Sequence, residues 1–190
     1  MDKPIRIAIL IEDNYQDLEV WYPLLRLREE GFEVVTVEPN GRKEYKGKNG
    51  YPITVDKSID QVNAGGFDGV VIPGGWAPDR LRLSKKILDF VKKLYDDGKL
   101  VASICHGGWV LASAGICKGK TLTSYIAIRD DLVHAGAKFV DKEVVRDGNL
   151  ITSRKPDDLP AFCRTIIAAL KENVGAGLKP APTVKTAARR

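Results

Sequence analysis

The run Ile5-Arg6-Ile7-Ala8-Ile9-Leu10-Ile11 constrains this chain most. It is far shorter than the ~20 apolar residues that span a bilayer, and too uniformly β-favouring for a strand with one wet face. It predicts a central parallel strand covered by helices on both sides. With Arg6 inside it and no small-residue cleavage pattern after it, the run does not read as a signal peptide, so a cytoplasmic protein is expected.

Strand-like and helix-like patterns then alternate. Asp17–Glu30 carries Leu18, Trp21, Leu24 and Leu25 at helical spacing and closes on Gly31, with Pro23 expected to kink the helix or reset its start. Phe32–Val37 reads as a strand, and residues 39–57 as a turn or hairpin excursion around Asn49-Gly50. Asp68–Ile72 is a strand running into Pro73-Gly74-Gly75. Ser84–Asp97 is an amphipathic helix with Ser84 as N-cap, a core face of Ile87, Leu88, Val91, Leu94 and Tyr95, and Gly98 past its end. Leu100–Ile104 is a buried strand that passes without spacer into a helix over His106–Ala114. Further helices are expected at Ile128–Ala135 and Asp157–Lys171, strands at Lys138–Arg146 and Leu150–Ser153, and a turn at Asp147-Gly148. This alternation predicts a three-layer α/β sandwich on a mostly parallel sheet. It makes one domain over 1–173, followed from Val174 by a basic, flexible tail.

The formal charge of +5 is concentrated in that tail: Lys179, Lys185, Arg189 and Arg190 supply +4, leaving 26 basic and 25 acidic residues elsewhere. A basic face for nucleic acid is therefore not expected, nor is a membrane partner. Cys105, Cys117 and Cys163 are odd in number and lack a CxxC spacing, which favours free thiols over disulfides. Only His106 and His134 are histidines, neither in a metal-ligand pattern, so neither a metal nor another cofactor is expected.

The densest chemical signal is Ser103-Ile104-Cys105-His106-Gly107. A nucleophile at a strand-to-helix switch needs a sharp turn, small neighbours on both sides and helix amides near the reacting atom. Ser103 and Gly107 supply the small flanks, and a helix N-terminus favours thiolate over thiol. A small buried apolar residue would be the plain alternative for Cys105, but packing explains the elbow and the adjacent histidine poorly. Cys117, after a helix end, and Cys163, on an apolar helix face, read as inert. Gly74 and Gly75 let backbone amides approach a ligand, as an oxyanion hole requires. Glu19 lies one turn into the first helix, so it joins Gly75 and Cys105 at the carboxyl ends of the strands, where open α/β sheets bind ligands. Neighbouring helix positions diverge by about 100°. That spacing turns the His106 side chain elsewhere and does not by itself pair it with Cys105, while a solvated surface residue is an equal reading of Glu19.

These motifs, with Asp17-Leu18-Glu19, Tyr22-Pro23, Ala77-Pro78-Asp79-Arg80, Thr123-Ser124-Tyr125 and Ser153-Arg154-Lys155-Pro156-Asp157-Asp158-Leu159, give the chain a resemblance over roughly residues 5–172. It resembles the PfpI family of intracellular proteases and glyoxalase III or deglycase-like proteins, within the class I glutamine-amidotransferase-like superfamily. The resemblance implies a flavodoxin-like sandwich with Cys105 as nucleophile. It further implies a protonated Glu19 hydrogen-bonded to the thiolate, an oxyanion hole from the Gly75 and His106 amides, and a pocket lined by Gln16, Gly74 and Tyr125. In protease-like members the histidine pairs with an acid of a neighbouring subunit, which maps onto Asp79, and the active form is an oligomer, with dimers built into hexamers. Two departures stand out: Tyr15-Gln16-Asp17 replaces Phe-Glu-Asp, so Gln16 is an amide where a carboxylate is usual, and Asp79 is shorter than the usual Glu. Both weigh against peptidase activity more than against thiol chemistry. Three functions are thus expected, the first ahead of two others of equal standing. The first is conversion of reactive carbonyls such as methylglyoxal to hydroxy acids, with removal of early glycation adducts. The others are a cysteine peptidase using Cys105, His106 and Asp79, and a non-enzymatic redox sensor or chaperone acting through Cys105 oxidation.

Overall fold

The computed structural model describes residues 4–175. The elements run β1 (Arg6–Leu10), α1 (Asp17–Glu29), β2 (Glu33–Glu38), β3 (Glu44–Lys46), β4 (Pro52–Thr54), β5 (Lys57–Ser58), β6 (Gly69–Ile72), α2 (Ala77–Leu81), α3 (Lys85–Asp96) and β7 (Leu100–Ile104). They continue with α4 (Gly108–Ser113), β8 (Thr121–Leu122), α5 (Arg129–His134), β9 (Lys138–Phe139), β10 (Val144–Asp147), β11 (Leu150–Ser153) and α6 (Leu159–Gly175). Seven strands form one sheet in the order β10-β11-β7-β6-β1-β2-β5, parallel except for the β10–β11 pair. β3 and β4 make the hairpin expected from Asn49-Gly50. α6 extends past the expected domain limit to Gly175, and the tail beyond it lies outside the described residues.

The order explains where a site must form. The chain moves from β1 to β2 in one direction across the sheet and from β6 to β7 in the other. Because βαβ crossovers are right-handed, α1 and α3 fall on opposite faces. α6 packs against α1. The connections leaving β1 and β6 therefore diverge, and a crevice opens at their carboxyl ends. Ile7 to Ile11 are all fully buried, as a doubly covered strand requires.

α3 follows its sequence signal: Ser84 Oγ accepts from the Ile87 amide, and Ile87, Phe90, Val91 and Leu94 are buried. In α1 only half of the expected face turns inward, with Leu24 buried and Trp21 packed against the core. Leu18 and Leu25 are 56% and 59% exposed, whereas Asp17, Glu19, Val20, Pro23, Leu24 and Leu27 are buried. The helix turns its carboxylates inward because they have partners there: Asp17 accepts from the Asn49 and Tyr51 amides, and Glu19 from Gly74. Pro23 sits within a continuous helix and does not reset its start.

Candidate active site

β7 ends in a backbone that few residues adopt. Cys105 has φ = 59°, left-handed, at a cost of about 1–3 kcal/mol. The surroundings hold it there: the Cys105 carbonyl accepts from Tyr125 N at 3.4 Å, and the chain turns at once through a 3-10 segment, Cys105–Gly107, into α4. Gly107 is required by close approach, since a Cβ there would stand 2.6 Å from the Ile72 carbonyl and 2.8 Å from Ser103 Oγ.

The floor of the site is Gly74. A Cβ on it would lie 2.7 Å from both Cys105 Cβ and Glu19 Oε2, and 2.9 Å from His106 N, so these groups converge on one point. Gly74 N donates to Glu19 Oε2 at 2.7 Å. The other carboxyl oxygen, Oε1, is buried with no hydrogen-bond partner of good geometry, although the carboxyl and the neighbouring thiol each perturb the other's titration. Gln16 caps α1 by accepting from Glu19 N at 3.0 Å. The loop after β1 zips onto the loop after β6 through Gln16 N to Gly74 O and Trp76 N to Asn14 O. Gly75, with φ = 75°, makes that approach possible, because a Cβ would stand 2.4 Å from Asn14 O.

The electrostatics of the pair follow from burial. Glu19 is fully buried, and desolvation pushes its carboxyl from 4.5 up to about 7 against the pull of the Gly74 amide, the thiol and the Lys48 charge. Cys105 is pushed up to about 12, first by burial and then by the charge of Glu19, while hydrogen bonds from the His106 and Gly75 amides pull it down. The expectation that a helix N-terminus would make Cys105 a thiolate unaided is therefore corrected: α4 is preceded by a 3-10 turn, and desolvation outweighs its amides. With Glu19 protonated, its raising effect on sulfur disappears. The two groups hold one proton between them above about pH 7 and two below it.

His106 does not point away from the thiol as helical spacing implied. Its Nδ1 lies 3.3 Å from Cys105 Sγ, because the positive φ at Cys105 and the 3-10 turn replace the assumed α-helical step. The ring sits among Tyr125, Trp109 and Trp76 at centroid distances of 5.0, 5.1 and 6.3 Å. Burial and the Lys48 charge push its titration down, and among the described residues no carboxylate opposes them. Asp79 is exposed on α2 and does not line the cavity around His106. Cys117 and Cys163 are free and buried, pushed up to about 11 and 12 by desolvation.

These groups share a cavity of about 430 Å³. Glu19, Gly75, Cys105 and His106 line it together with Gln16 and Tyr125, whereas Gly74 is not among the lining residues. Sequence reading missed Lys48, Trp76, Ala127, Lys155 and Pro156. For Lys155-Pro156 the signal was present in the motif preceding α6. Lys48 lay within a segment read only as a turn, so nothing marked it.

A thiol on a strained elbow at the end of a parallel strand, with a buried carboxyl and two backbone amides converging on it, defines a cysteine-nucleophile enzyme of the α/β class. The sequence matches the DJ-1/PfpI family over residues 5–169, and the chain belongs to that family. It is 45% identical over 167 residues to the deglycase PfpI of Pyrococcus furiosus, covering 88% of this chain and 100% of that protein. It is 44% identical to protein/nucleic acid deglycase 2 of Escherichia coli, covering 87% and 97%. The crystal structure of Drosophila melanogaster DJ-1beta superposes with a TM-score of 0.83 at 31% identity, over 93% of this chain and 100% of that one.

Proposed function

We propose that this protein converts reactive carbonyls, 2-oxoaldehydes such as methylglyoxal and their early adducts on protein, to hydroxy acids by way of Cys105. The observation that carries the reading is the convergence of Glu19 Oε2, the Cys105 side chain and the His106 amide on the single point above Gly74. The thiol adds to the aldehyde carbon, its proton passes to the carbonyl oxygen through the Glu19 carboxyl, and a hemithioacetal forms. Glu19 then takes the proton from the former aldehyde carbon and returns it to the neighbouring carbon, while the hydroxyl proton of the first carbon passes to the oxygen of the second, leaving a 2-hydroxy thioester that water hydrolyses to release the thiol. The balance is 2-oxoaldehyde plus water to 2-hydroxy acid, with no external oxidant or reductant. On this reading the Gly75 amide holds the developing oxyanion. The relatives named deglycase support the substrate class. The E. coli relative's name adds nucleic acid; the even charge of residues 1–173 favours small-molecule and protein carbonyls here. Three free thiols fit a reducing, cytoplasmic setting. The test is lactate formation from methylglyoxal: wild type makes it and Cys105→Ala does not. Equal turnover by both overturns the reading.

One observation favours a second activity. Among the described residues no acid pairs with His106, while Asp79 stands exposed on α2, as a triad completed by a second copy would require. On that reading the protein self-associates, and Asp79→Ala abolishes peptide hydrolysis without abolishing methylglyoxal turnover. Peptide hydrolysis that survives Asp79→Ala contradicts it.

A further inference from the structure

Lys48 and Lys155 line the reaction cavity, yet the thiol chemistry uses neither. We infer that the cavity selects carbonyl substrates that carry a carboxylate, with Lys48 as the specificity-determining cation. The inference rests on the proposed carbonyl chemistry and names the substrates within it.

Lys48 is not a casually placed surface lysine. Its amide donates to the Tyr15 carbonyl at 2.8 Å, and the preceding residue, Gly47, forms a parallel bridge with Tyr15. The turn closes on itself through Gly47 N to Tyr51 O and Gly50 N to Gly47 O, and Asn49 N donates to buried Asp17. The approach is close enough to demand glycine: a Cβ on Gly47 would stand 2.2 Å from Asp17 Oδ1. The loop is thus fastened to Tyr15 and to Asp17 of α1, and from it Lys48 reaches the lining of the cavity.

The charge inventory then decides the ligand. Of the side chains lining the cavity only Glu19 is a carboxylate, and it lies fully buried at the base. Gln16 spends its amide oxygen on the α1 cap, which leaves its NH₂, a donor, as the free end. Lys155 is compensated by Asp157 at 2.9 Å. Among the described residues Lys48 makes no ion pair, its charge reaching Glu19 only at a distance, so the cavity presents a cation without a direct partner beside an amide donor. That arrangement matches a monoanionic carboxylate, which accepts from both, better than a phosphate dianion or a neutral tail.

The probes are 4,5-dioxopentanoate, a 2-oxoaldehyde with a terminal carboxylate, and its neutral methyl ester. Comparing the two within one variant cancels any effect of Lys48 on Glu19 or His106. Wild type should favour the acid in kcat/KM by about fivefold, the factor expected of an exposed charge pair near 1 kcal/mol, and added salt should shrink that preference. Lys48→Gln should bring the ratio close to one, and Lys48→Arg should keep it. A wild-type ratio near one, or a preference unchanged in Lys48→Gln, overturns the inference. A turnover-independent arm separates it from the proposed reaction: protection of Cys105 from iodoacetamide by levulinate against methyl levulinate. Stronger protection by levulinate that is lost in Lys48→Gln supports the inference even if no oxoaldehyde is converted. Equal protection counts against it even if methylglyoxal is.

Discussion

Replacing Glu19 with glutamine should make the protein more stable at alkaline pH while disabling it. The carboxyl titrates at about 7 in the fold against an ordinary 4.5, a difference of roughly 3 kcal/mol. The sign is that of a raised folded-state value: the folded protein holds this proton more tightly than the unfolded chain. The favourable contribution is full below about pH 4.5 and is lost as pH rises through 7. Glutamine keeps the shape, and its amide oxygen can still accept from Gly74 N, but it never ionises. Urea unfolding at about pH 5 and pH 8 should show wild type losing on the order of 1–3 kcal/mol that Glu19→Gln retains. Turnover of methylglyoxal should fall by about 10²-fold or more, the usual worth of a positioned proton carrier. Parallel stability curves for the two proteins would refute the reasoning, since they would mean that Glu19 ionises in the fold as easily as in the unfolded chain.

Gly74→Ala should cost about 1–3 kcal/mol in chemical denaturation, because its Cβ meets Cys105, Glu19 and the His106 backbone within 2.9 Å. Cys105→Gly should be more stable than Cys105→Ala by about 1 kcal/mol in thermal unfolding, since only glycine relieves the left-handed backbone. Iodoacetamide should modify Cys105 well before Cys117 or Cys163, which are 1% exposed against its 8%, as peptide mapping by mass spectrometry would show.

The parts of this molecule that obey simple packing were legible in its sequence. β1 and the strand leading to Cys105 announce themselves as uninterrupted β-favouring runs, and α3 carries both its cap and its apolar face. Around the site the same rules mislead. α1 exposes Leu18 and Leu25 and buries Asp17 and Glu19, because hydrogen bonds to the loops beside the cavity join the face of Val20, Leu24 and Leu27 in setting how the helix is turned. His106 reaches the thiol because one residue, Cys105, leaves the helical region of φ, which no spacing rule anticipates. Lys48 enters through a glycine contact between segments about thirty residues apart, a tertiary fact with no local signature.

The shared proton of Cys105 and Glu19 is tested most directly by the pH dependence of kcat/KM for methylglyoxal in wild type and Glu19→Gln. The pair holding a single proton is the reactive form, so the wild-type rate should rise through about pH 7 to a plateau, and that step should be absent from Glu19→Gln. A wild-type profile that is flat across pH 7, or the same step persisting in the variant, would contradict the assignment of Glu19 as the proton carrier for Cys105.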